Sequence, residues 1–121
     1  MLEIHINRPE DRDDGTDHVE LAPEGEVDAY SVAQFREAFD ELSSEPRVVV
    51  DLSAVQFMDS AGLGALIGGI RKVRENEGRI TVFSDVTGIT RLLHTTGFDR
   101  IVPVKEDKAE CIIALDEDPD A

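Results

Sequence analysis

The chain reads as an α/β domain in which a mixed β-sheet is flanked by about four helices, and three observations predict this. Short alternating or β-branched runs are separated by amphipathic stretches, the pattern of strands joined by covering helices. The 121 residues suffice for one core and not for two, because domains cluster at roughly 100 to 150 residues. Apolar residues make up 40% and aromatics only 5%, with no Trp. The core must then be built from Leu, Ile, Val and a few Phe, which suits a compact domain better than a large ligand cavity.

Leu2, Ile4 and Ile6 alternate with Glu3 and His5, the period-2 pattern of a half-buried strand. The acid-rich segment 7–17, with Pro9 and Gly15, is expected as a mobile loop. A second strand runs through Val19, Leu21 and Val27, and Pro23 and Gly25 within it predict a bulge or tight bend. From Ser31 the period turns helical, with Val32, Phe35, Phe39 and Leu42 on one stripe. Ser31 followed three positions later by Gln34 reads as a capping box, so the first helix is placed at Ser31 to Ser43. Arg47-Val48-Val49-Val50-Asp51-Leu52 has the composition of a strand buried on both faces.

Ser60 to Asn76 is helical again, with Gly78 placed to end it. Ile80 to Phe83 is the next strand, and Val86, Ile89 and Leu93 mark a short helix terminated by Gly97. A short strand at Ile101 to Val104 and a last helix carrying Ala109, Ile112 and Ile113 complete the order β β α β α β α β α. The first two strands can pair as a hairpin, which makes the sheet mixed, and the crossovers between parallel strands are right-handed. No internal repeat or second domain is visible, so residues 1–121 are assigned to one domain.

The formal net charge of −15 opposes attraction to phosphate backbones and anionic membranes, so direct nucleic-acid binding is not expected. The charge is uneven. Arg47 to Lys105 holds eight basic and six acidic residues, whereas the excess acid lies in Glu10 to Asp28 and Glu106 to Asp120. These runs, including the C-terminal tail 116–121, read as solvated loop and tail. The lone Cys111 cannot close an intramolecular disulfide, and no signal-peptide-like leader or membrane-length apolar run is present. A cytoplasmic location is the expectation. Cys111 itself reads as a small buried apolar residue on the last helix.

The informative stretch joins the buried strand to the helix at Asp59-Ser60. Either side chain can cap the unpaired N–H groups of the first helical turn, and for Ser60 that plain structural role stands as one reading. At about 100° per residue, Leu63, Leu66, Ile67, Ile70 and Val73 form an apolar stripe facing the sheet. Ser60, Gly64, Gly68, Arg71 and Glu75 then face outward, flanked by Ala61, Ala65 and Gly69. Glycine inside a helix costs roughly 1 kcal/mol relative to alanine, so Gly64, Gly68 and Gly69 demand a reason. One is a smooth face on which another backbone docks; the other is close packing against a neighbouring helix of the same fold. A phosphate on Ser60 would add roughly −1.5 to −2 charges at the edge of that face, where the helix N-terminus tolerates an anion.

Gly25-Glu26-Val27-Asp28, the stretch Val50 to Leu63 with its Asp59-Ser60-Ala61-Gly62-Leu63 segment, and Thr95-Thr96-Gly97-Phe98-Asp99 together resemble the STAS domain of bacterial anti-sigma-factor antagonists. The resemblance runs from Val19 to Leu115. It implies a partner-switching cycle: the unphosphorylated form binds an anti-sigma factor that is also a serine kinase, freeing the sigma factor. The kinase phosphorylates the serine matching Ser60, and a metal-dependent serine phosphatase of the PP2C type restores binding. The expected docking residues, on and beside the smooth glycine face, are Asp59, Ser60, Ala61, Gly64, Ala65 and Gly68, with Asp28. The alternative within the same fold is a STAS subunit of a stress-sensing assembly or lipid-transport ABC complex that does not use phosphorylation.

Enzymatic roles find little support. A nucleophile elbow needs Gly-x-Ser-x-Gly, and Met58 occupies its first glycine position. No sequence pattern orients His5, His18 or His94 to activate Ser60. There is no Cys/His ligand spacing, P-loop or dinucleotide fingerprint, so no metal or cofactor is expected.

Overall fold

In the computed structural model, which describes residues 1–12 and 15–117, the strands are β1 (Leu2–Asn7), β2 (Val19–Val27), β3 (Arg47–Asp51), β4 (Val55–Met58), β5 (Arg79–Phe83) and β6 (Val104–Lys105). The helices are α1 (Val32–Leu42), α2 (Ser60–Glu75), α3 (Thr87–Thr95) and α4 (Lys108–Ala114). The sheet order is β1-β2-β3-β5-β6, with β4 also paired to β2. Only the β1–β2 pair is antiparallel, running from Leu2 opposite Gly25 to Asn7 opposite Glu20. The sheet is therefore mixed, as expected.

β4 is an addition to the predicted order, in which its residues were read as loop. It exists because β2 is long enough to serve two partners. Val19 to Leu21 pair with β3, and Gly25 to Val27 pair with β4, with a shift of register between Gly25 and Glu26. Gly25 has φ +111°, and a Cβ there would lie 2.2 Å from the Met1 carbonyl oxygen, so only glycine fits this expected irregularity.

Two other boundaries move. Residues Phe98–Arg100 form a 3-10 turn, and the last strand is confined to Val104–Lys105. At the end of α2 the left-handed residue is Glu77, with φ 65°, not Gly78. Gly78 is needed for another reason: its Cβ would meet the Glu45 carbonyl oxygen at 2.7 Å.

The capping box at Ser31 is not formed. Ser31 Oγ donates to the Glu26 carbonyl at 2.8 Å, and Gln34 reaches away to the Leu2 carbonyl at 3.2 Å. The described part of the acidic loop is fastened rather than loose. Its residues Pro9–Asp11 form a 3-10 turn, and the Arg12 guanidinium donates to the Asn7 carbonyl and side chain and to the His18 carbonyl. Of the acidic tail, Asp116 pairs with Arg47, which also holds Asp17 at 2.8 Å; residues 118–121 lie outside the described part.

The main core joins Leu21, Val27, Val48, Val50 and Val82 of the sheet to Phe35, Phe39 and Leu42 of α1 and Leu66, Ile70 and Val73 of α2. On the opposite face of the sheet, Val49 packs with Cys111 and Leu115 of the C-terminal segment. Cys111 is buried and donates to the Val82 carbonyl at 3.3 Å, and burial pushes its thiol up to about 11. Ile113, one of the apolar residues that marked the last helix, is exposed. Among the described residues no helix is long and apolar enough to cross a membrane.

Candidate functional site

The N-terminal end of α2 is set by β4, whose last residue Met58 runs directly into Asp59. The Asp59 N–H donates to the Val27 carbonyl at 3.2 Å, so the chain is still registered on β2 as the helix begins. Asp59 Oδ1 then accepts the Gly62 N–H at 3.0 Å, which makes Asp59 the N-cap. Its other oxygen accepts the Ala29 N–H at 3.3 Å, tying the β2–α1 loop to the start of α2.

Ser60, the first residue of α2, is exposed. With capping assigned to Asp59, the structural reason for a serine at this position falls away. Its hydroxyl makes no hydrogen bond with any described residue, and each histidine is bonded elsewhere. His5 bonds to Glu24, His18 to Glu20 and His94 to Asp99.

The glycines of α2 divide into two groups. Gly62 and Gly69 are packing glycines. A Cβ on Gly62 would meet the Val27 carbonyl oxygen at 2.4 Å, and one on Gly69 would enter the Phe39 ring at 2.2 Å. For Gly69, close packing within the fold is therefore the explanation. Gly64 and Gly68 have nothing within 4 Å of a Cβ, so no contact of this fold requires them to be glycine.

The expected docking residues lie from the N-cap to the middle of α2 and on the adjoining β2–α1 loop, with two qualifications. Ala65 is buried at 3% exposure, because α2 packs on both the sheet and α1 and so buries a wider arc than one stripe. It supports the face from beneath. Ala61 and Gly68 are half-buried, and Gly64 is exposed. Asp28 is half-buried and committed to its own loop: its Oδ1 accepts from Tyr30 N–H at 3.0 Å and from Ser31 N–H at 3.1 Å. That turn presents Tyr30 at 99% exposure, and Phe57, on β4 just before Asp59, is 51% exposed. The sequence reading missed both aromatics. The polar neighbours of Tyr30 were a signal for it, whereas Phe57 gave none, because strand alternation would place it on the face of buried Val55.

The model of the STAS domain matches residues 11–111. The chain belongs to the STAS domain family. An anti-sigma-B factor antagonist of Listeria monocytogenes is 31% identical to this STAS protein over 97 residues, covering 78% of this chain and 85% of the relative. An anti-sigma factor antagonist structure from Mycobacterium paratuberculosis superposes with a TM-score of 0.80 at 23% identity, covering 97% of this chain and 96% of that one. The phosphorylated form of the Bacillus cell fate determinant SpoIIAA gives 0.64 at 16% identity, with 89% and 96% covered. At these identities the two structures establish the STAS fold.

Proposed function

We propose that this STAS protein is a non-enzymatic anti-sigma-factor antagonist that docks onto an anti-sigma factor through the N-terminal end of α2, and that phosphorylation of Ser60 switches docking off. The carrying observation is the division of labour between neighbours. Asp59 does the capping, which leaves the Ser60 hydroxyl exposed and unbonded at the first residue of the helix. A phosphate there sits beside a helix N-terminus, where negative charge is favourable, so the fold survives it. A partner seated on Gly64 and Gly68 meets a new dianion at its edge and loses complementarity.

The partner is an anti-sigma factor that is also a serine kinase, in keeping with the Listeria relative named as an anti-sigma-B factor antagonist. A PP2C-type phosphatase resets Ser60. Sequestering the anti-sigma factor frees its sigma factor in the cytoplasm. Titration calorimetry of the unmodified protein against the anti-sigma kinase of its own cell tests the reading. Binding by wild type and by Ser60→Ala, with little or none by Ser60→Asp, is expected; equal binding by all three contradicts it.

A further inference from the structure

At the pole of α2 opposite Ser60, a cavity of about 420 Å³ opens between the last turn of α2, the start of β5, the 3-10 turn at Phe98–Arg100 and the end of α4. Its apolar lining comes from Ile80, Ile101, Pro103 and Leu115, and Arg74, Arg79 and Arg100 join that lining. Three of the 12 basic side chains of a chain with 27 acidic ones thus converge on one cavity.

The three arginines have different duties. Arg79 is engaged with the chain itself, donating to the carbonyls of Leu115 at 3.0 Å and Glu117 at 3.2 Å. Arg74 lies in the last turn of α2, where a cation suits the helix dipole. Neither its guanidinium nor that of Arg100 makes an ion pair or hydrogen bond with a described residue, although Glu77 and Glu117 line the same cavity. Ile101 stays 45% exposed at the mouth. The cavity's volume falls within the roughly 300 to 1,000 Å³ range of small-molecule sites, and its lining mixes charged side chains with the apolar surface of Ile101 and Pro103.

We propose that this cavity binds a small amphipathic anion, with an apolar body against Ile101 and Pro103 and an oxyanion head held by Arg74 and Arg100. The guanidinium fork pairs with phosphate and carboxylate alike. The site is separate from the Ser60 surface and does not depend on the reading given to that surface.

The test is a titration of the full chain followed by backbone amide NMR, with naphthyl phosphate, naphthoate, naphthol and inorganic phosphate as probes. Saturable shifts of Ile80, Ile101 and Leu115 with either naphthyl anion, and none at Gly64, are expected. Arg100→Ala and Arg74→Ala should each weaken that binding about tenfold, while the charge control Arg36→Ala on α1 leaves it unchanged. Naphthol binding as tightly as the naphthyl anions would overturn the role of the arginines. Inorganic phosphate binding as tightly would overturn the role of the apolar walls. The absence of saturable shifts with both naphthyl anions would overturn the site.

Discussion

Asp59 reaches across to Ala29: one carboxylate oxygen accepts the Ala29 N–H at 3.3 Å while the other caps α2 through Gly62 at 3.0 Å. One side chain thus fixes both the loop carrying Tyr30 and the helix end carrying Ser60. Asp59→Ala should cost about 1 to 2 kcal/mol, the usual penalty for a lost N-cap. Ser60→Ala should stay within about 0.5 kcal/mol of wild type, as an exposed position with no bonded partner. Urea denaturation of the two variants side by side checks this; equal losses would return the capping role to Ser60.

The two kinds of glycine in α2 predict opposite responses. Gly69→Ala pushes a methyl into the Phe39 ring and should destabilise by about 1 to 3 kcal/mol. Gly64→Gln meets open space, so it should leave stability equal or raise it by up to about 1 kcal/mol. The same Gly64→Gln protein should bind the anti-sigma factor more weakly in calorimetry. Unchanged binding there and for Gly68→Gln moves the docking surface elsewhere.

Leu66 is fully buried between α2 and the sheet. Leu66→Ala should cost roughly 2 to 5 kcal/mol as a cavity-forming change, measured as a lower midpoint of chemical denaturation. A neutral result would mean that the faces of α2 are assigned wrongly.

Lys108 at the start of α4 links two strands through their carboxylates, Glu20 at 3.0 Å and Asp51 at 2.9 Å. Burial raises both carboxyls, but hydrogen bonds from His18 and Lys108 to Glu20, and from Ser53 and Lys108 to Asp51, outweigh it and hold both below their ordinary range. Burial lowers the lysine, and its bonds to Asp51 and Glu20 outweigh that and raise it. Depressed carboxyls contribute stability above their ordinary values of 4.5 and 3.8, and that stability is lost as pH falls through the folded values. The raised lysine contributes below its ordinary 10.5 and loses its contribution as pH rises through the folded value. Lys108→Met should cost about 1 to 3 kcal/mol near pH 7, less than for a fully buried pair, because the lysine side chain is 38% exposed. The difference from wild type should shrink as the carboxylates protonate below about pH 4. A difference constant with pH would show that packing, not charge, carries the effect.

The strand and helix order was legible wherever a segment buries one continuous face, as in β3 with its three valines or α1 with Phe35, Phe39 and Leu42. β4 was not legible. Its residues Val55, Phe57 and Met58 pair with the far half of β2, distant in sequence, and a local pattern carries no trace of that pairing. Asp59 and Ser60 are both good caps, so only the hydrogen-bond geometry decides between them. Ala65 and Gly69 were placed outside because a single stripe ignores α1 as a second neighbour of α2. The Asp59-Ser60 segment itself stood out in the sequence, while the exposure of Tyr30 and Phe57 emerged only from the fold.

The most direct test of the switch incubates the protein with its anti-sigma kinase and ATP, maps the phosphate by mass spectrometry, and measures binding of the modified protein. Stoichiometric phosphate on Ser60, loss of kinase binding and an unchanged denaturation midpoint are the predicted result. Phosphate on Ser53 or Ser84 with none on Ser60, or a Ser60 phosphoprotein that binds at full affinity, would contradict it.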